Sequence, residues 1–81
     1  MPVDYVLRAV VRDPVYRAVV GCLEGRESGA STREVMLCLA ERGVVLGESS
    51  VRGRLRTLER LGVVRSVDLG VYLVWFLVKR R

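Results

Sequence analysis

The most informative pattern of apolar and polar positions runs from Ser49 to Val64. Val51, Leu55 and Leu58 recur at i, i+4 and i+7, the spacing of one stripe along a helix. Ser49, Arg52, Gly53, Arg56 and Arg60 fall on the opposite side of the wheel. Leu61-Gly62-Val63-Val64 then stops the helix at a glycine and opens a β-branched strand. The pattern predicts a helix over about 48–61 with one face for a core and one for solvent or a ligand.

The rest of the chain reads around that helix. Asp13-Pro14 breaks the chain and starts a helix, Asp as N-cap and Pro at the first helical position. Val15, Ala18, Val19, Cys22 and Leu23 form its apolar stripe, and Gly25 with Arg26-Glu27-Ser28-Gly29 forms a loop. Ser31-Thr32-Arg33-Glu34 is a capping box. It opens a helix through Arg42, with Val35, Met36 and Leu39 inward and Gly43 as the stop. Val44 to Leu46 is an apolar connector, and Gly47 caps the next helix with Glu48 in its first turn. Residues 4–12 carry Asp4, Arg8 and Arg12 as one polar stripe and are read as a helix. The alternation of Tyr5, Leu7, Ala9 and Val11 supports a competing strand reading.

Beyond Gly62, Val63 to Val67 reads as a strand, Asp68-Leu69-Gly70 as a tight turn and Val71 to Val78 as the returning strand. Both faces of that last strand are apolar, whereas an antiparallel strand with one wet face should alternate. Its second face needs a cover, either the N-terminal helix or a second subunit. The expectation here is a homodimer held by the last strand and the N-terminal segment 1–12, with Tyr72, Val74, Trp75 and Phe76 at the interface.

At 81 residues the chain makes one small domain, divided into an N-terminal extension (1–12), a helical core (13–62) and a hairpin (63–78). The formal net charge of +5 favours a polyanionic partner. Every basic residue except Lys79 is arginine, whose planar fork suits phosphate and guanine, although codon bias gives the same enrichment. With no Asn or Gln, the chain lacks the usual bidentate reader of adenine. Without histidine, two cysteines make no zinc site, so no metal or other cofactor is expected. Cys22 and Cys38, on neighbouring helices, are read as buried free thiols of a cytoplasmic protein, with a disulfide as the alternative for a hyperthermophilic source. No secretory leader is evident, and the longest apolar run, Val71 to Val78, is too short to span a membrane. No set of residues forms a catalytic constellation, so the protein is not expected to be an enzyme.

The order helix, capped helix, arginine helix and hairpin resembles the winged helix-turn-helix. The resemblance rests on Thr32-Arg33-Glu34-Val35, Leu39, Gly43, Val45, Ser50-Val51-Arg52, Leu55, Leu58-Glu59 and Gly62-Val63-Val64. These are similar to the second helix, recognition helix and first wing strand of small prokaryotic regulators of the MarR, PadR and ArsR kind. The resemblance implies an α+β fold, a three-helix core with a β-hairpin wing and here an additional N-terminal element. It also implies a recognition helix in the major groove and dimers reading two half-sites about one turn apart. Ser49, Ser50, Arg52, Gly53 and Arg56 would face the groove, with Thr32 and Arg33 near phosphates. Arg54 and Arg60 are further candidates for phosphate contact, and Lys79-Arg80-Arg81 reads as a solvated tail. Two features depart from such regulators. The turn Asp68-Leu69-Gly70 carries an acid where many wings carry a cation, and the sequence has no helix after the hairpin.

The expected function is sequence-preferring binding to double-stranded DNA as a homodimeric transcriptional regulator, with no small-molecule effector and no membrane partner. The main rival is a protein-interaction winged helix that docks through its apolar last strand. RNA binding ranks third, because few exposed aromatics suggest themselves for stacking.

Overall fold

A computed structural model describes residues 12–78. Its helices are α1 (Pro14–Leu23), α2 (Thr32–Glu41) and α3 (Glu48–Arg60). The strands are β1 (Ala30–Ser31), β2 (Val64–Asp68) and β3 (Leu73–Leu77), in one antiparallel sheet of order β1-β3-β2. The chain is thus α+β. The helix expected over 4–12 lies, except for Arg12, outside the described residues, as does the tail from Lys79.

Each helix begins and ends on local chemistry. The Asp13 carboxylate accepts from the backbone N–H groups of Val15 (2.8 Å) and Tyr16 (3.4 Å) at the start of α1. At α2 both halves of the capping box are made: Glu34 N–H donates to Ser31 Oγ (3.1 Å), and Ser31 N–H donates to Glu34 Oε1 (2.8 Å). Helices α2 and α3 close alike. Val44 N–H reaches back to the Leu39 carbonyl and Gly43 N–H to Ala40, while Val63 reaches Leu58 and Gly62 reaches Glu59. This closure requires a left-handed residue, supplied by Gly43 (φ 84°) and Gly62 (φ 77°).

The three stripes meet in one core. Val19, Cys22 and Leu23 of α1 pack with Val35 and Leu39 of α2 and Val51, Leu55 and Leu58 of α3. Ala30, Val64 and Trp75 close it from the sheet. Of the connector, Val44 and Leu46 pack against this core and Val45 stands in solvent.

Several expectations change. Cys22 and Cys38 are not free thiols but a disulfide joining α1 to α2, with Cα atoms 6.0 Å apart. Their helices pack side by side, which brings two residues distant in sequence within bonding reach. The returning strand starts at Leu73 rather than Val71, because the turn is longer than Asp68-Leu69-Gly70. Gly70 N–H donates to Asp68 Oδ1 (2.8 Å) and Leu69 N–H to the Tyr72 carbonyl (3.0 Å), so Val71 and Tyr72 belong to the turn. Strand β1 was not anticipated. It pairs with the second edge of β3, placing Ala30 against Trp75 and Ser31 against Val74.

That pairing also explains part of the apolar character of β3. Leu73, Trp75 and Leu77 point to the core, and Val74 and Phe76 to the other side of the sheet. The backbone at Gly29 lies directly on that outer side: a Cβ there would meet Val74 Cγ1 at 2.7 Å and Phe76 Cε2 at 2.8 Å. The Arg65 guanidinium lies 4.9 Å from the Phe76 ring centroid. The loop before β1 and an arginine of β2 therefore half-bury the face for which a second subunit was expected.

Candidate functional site

Helix α3 is built for two environments. Val51, Leu55 and Leu58 are fully buried, while Ser49, Ser50, Arg52, Gly53, Arg56 and Arg60 are all exposed. The helix rises about 1.5 Å per residue, so its thirteen residues hold these groups along about 20 Å. Its N-cap is Gly47, which supplies no side-chain acceptor to the first-turn N–H groups.

The arginines of this face differ in how they are held. Arg52 Nη2 lies 3.3 Å from Glu48 Oε2, an exposed pair one turn apart. Arg60 donates to Thr57 Oγ1 at 3.3 Å. Arg56 Nη1 lies 2.9 Å from Glu59 Oε1, and its guanidinium carbon is 5.2 Å from the Trp75 ring centroid. Glu59 is itself anchored to the hairpin, since its Oε2 accepts from Ser66 Oγ at 2.7 Å. The Ser66 hydroxyl first, and then the Arg56 guanidinium, hold the Glu59 carboxyl below its ordinary value. Glu59 is therefore ionised beside Arg56 at neutral pH.

Arg54 does not share this face. It is half-buried on the flank toward α1, 5.7 Å from the Tyr16 ring centroid, with a buried Nε that has no hydrogen-bond partner among the described residues. Thr32 is withdrawn altogether. It is 6% exposed, and its Oγ1 accepts from Trp75 Nε1 at 2.9 Å, so it serves the core rather than a phosphate. The neighbouring Arg33 is exposed. Trp75 is 0% exposed, which removes it from any interface; the tie to Thr32 and the Arg56 guanidinium account for its placement. Of the other residues assigned to an interface, Tyr72 is exposed and Val74 and Phe76 are half-buried.

An open groove of about 510 Å³ separates the start of α3 from the hairpin turn. Arg33 and Arg52 line it together with Glu48, Val71 and Tyr72. Leu69, Val71 and Tyr72 make the turn apolar and exposed, and no Arg or Lys occurs from Ser66 to Val78. Arginines thus crowd the outer face of α3, whereas the hairpin carries one arginine, Arg65, and exposes apolar side chains at its turn.

Sequence reading missed Glu48, Glu59 and Ser66 as partners of the arginines. The spacings Glu48 to Arg52 and Arg56 to Glu59 signal the two helical pairs. Nothing local signals Ser66, which meets Glu59 only because the hairpin folds back on α3. Among the described residues, no group of acids and cysteines is placed to hold a metal ion, and no helix is long and apolar enough to cross a membrane. Comparison with protein-family models and with curated proteins finds no match to this chain.

Proposed function

We propose that the protein binds double-stranded DNA with a sequence preference, as a winged helix-turn-helix transcriptional regulator whose α3 lies in the major groove. The observation that carries this reading is the outer face of α3. Arg52, Arg56 and Arg60 stand with Ser49, Ser50 and Gly53 on one exposed side of a helix whose other side is fully buried. A major groove about 12 Å wide admits such a helix, and arginine can hydrogen-bond both O6 and N7 of guanine. The serines suit phosphates or base edges, and Gly53 keeps the middle of the face flat. Arg33, across the groove at the start of α2, is suited to a backbone phosphate.

The homodimer belongs to this proposal in altered form. Trp75 is excluded, and the surface offered to a second copy is the outer side of the hairpin: Val67, Leu69 and Tyr72, with Val74 and Phe76 partly covered. A two-fold dimer would set two α3 helices on successive major grooves and favour an imperfect palindrome. A second reading, an assembly module that docks another protein, is favoured by the exposed apolar residues of the same turn, Leu69, Val71 and Tyr72.

Selection from a pool of random duplexes, followed by a salt series on the enriched and random sequences, separates the readings. The DNA reading expects a guanine-containing consensus and binding that weakens steeply with salt. Salt-insensitive or absent binding would favour the assembly module.

A further inference from the structure

We propose that Glu59, tied to the hairpin by Ser66, is a positioning residue that aims Arg56 at base edges and discourages it from resting on phosphate. This rests on the DNA-binding reading and adds to it the source of its specificity.

The argument comes from how differently the arginines of α3 are held. Among the described residues, the side chains of Arg52 and Arg60 hydrogen-bond only within their own helix, at 3.3 Å in each case. Such exposed intrahelical contacts are weak, and either side chain is free to swing to a phosphate. Arg56 is instead linked across elements. Glu59 divides its two oxygens between Arg56 Nη1 and the Ser66 hydroxyl of β2, at 2.9 and 2.7 Å. The indole of Trp75, fixed by Thr32, supports the guanidinium from the sheet side. A guanidinium carries five N–H donors, so one engaged with Glu59 leaves others for a base.

Two consequences follow from elementary physics. A side chain already held in one place loses less rotamer freedom on docking, so a mismatch is not absorbed by its moving elsewhere. The fixed carboxylate also repels phosphate oxygens beside Arg56, a cost paid on every sequence. The favourable guanine contact is gained only on the preferred one. Specificity is the difference between these affinities, and the repulsive group contributes to it directly.

Two variants test the assignment. Ser66→Ala cuts the tie and leaves the charge; Glu59→Gln removes the charge and nearly preserves shape. Each is compared with the unaltered protein by nitrogen NMR of the Arg56 guanidinium without DNA, by pool selection, and by salt series on a random 20-base-pair duplex. Far-ultraviolet circular dichroism checks that each variant keeps its fold. In Ser66→Ala, faster guanidinium rotation is expected, with about tenfold less discrimination at one base pair. In Glu59→Gln, random duplex should bind more tightly, with a log–log salt slope steeper by about one as Arg56 takes up a phosphate. A merely structural role would weaken both duplexes together. That result, or unchanged preference and slope in both variants, would overturn the assignment and leave the DNA reading standing. Failure of the unaltered protein to bind either duplex would overturn both.

Discussion

At the scale of single residues, Gly53 is the position whose presence the fold does not require. Beyond its chain neighbours and its own helix backbone, a Cβ there would meet no atom of the described residues within 4 Å, and its φ is not positive. Glycine inside a helix costs about 1 kcal/mol relative to alanine, so the exchange should stabilise the protein unless something outside it needs the space. Gly53→Ala is therefore expected to raise the unfolding free energy by up to about 1 kcal/mol while weakening duplex binding severalfold. A gain in stability with unchanged DNA affinity would remove Gly53 from the interface. Arg56 has the opposite character. It covers Trp75 as well as facing outward, so its truncation to alanine exposes core surface, and stability must be measured beside affinity.

At the scale of elements, α2 is secured twice. Its capping box satisfies donors at its start, and the disulfide joins it to α1. Ser31→Ala should cost about 1 kcal/mol in chemical denaturation, and an unchanged midpoint would mean the Ser31 bond is not stabilising in solution. Cys22 and Cys38 stand 16 residues apart. Closing a loop of that length removes enough freedom from the unfolded chain to stabilise the fold by about 3 kcal/mol. Reduction should lower the midpoint accordingly, and equal midpoints with and without reductant would show that the bond does not form. Acid dependence also belongs to these elements. The Glu34 carboxyl is held below 4.5 chiefly by the Ser31 backbone N–H, and the Glu59 carboxyl below 4.5 chiefly by the Ser66 hydroxyl. On unfolding both return to about their ordinary value. Their stabilisation is thus complete above about pH 4.5 and is lost as pH falls through the lower folded-state values. Denaturation midpoints should fall with pH in that window, and less so in the Glu34→Gln, Glu59→Gln double variant. A double variant with the same acid profile would place the dependence on other groups.

At the scale of the whole molecule, arginines concentrate on α3 and exposed apolar side chains on the hairpin turn. If the hairpin face joins two copies, sedimentation at micromolar concentration should give a dimer, and Val67→Asp should give a folded monomer with weaker binding to a palindromic site. Val67 is 37% exposed, so the substitution tests association rather than folding. A monomer before any substitution would leave the face to another protein or to solvent.

The sequence by itself determined the helices. Their stripes, the Asp13 and Ser31 caps and the stops at Gly43 and Gly62 are signals carried within a few residues, and the backbone answers to them locally. It determined as well which face of α3 is buried, because Val51, Leu55 and Leu58 leave one side apolar. Only the tertiary structure decided matters that depend on distant segments meeting. Thr32 looks like a first-turn polar residue until Trp75, 43 positions away, donates to it in the core. Strand β1, two residues long, has no periodicity to detect and exists because β3 offers an unpaired edge. The disulfide and the Ser66–Glu59–Arg56 linkage arise in the same way. Spacing along the chain predicts neighbours on one element, whereas contacts between elements follow from how the faces pack.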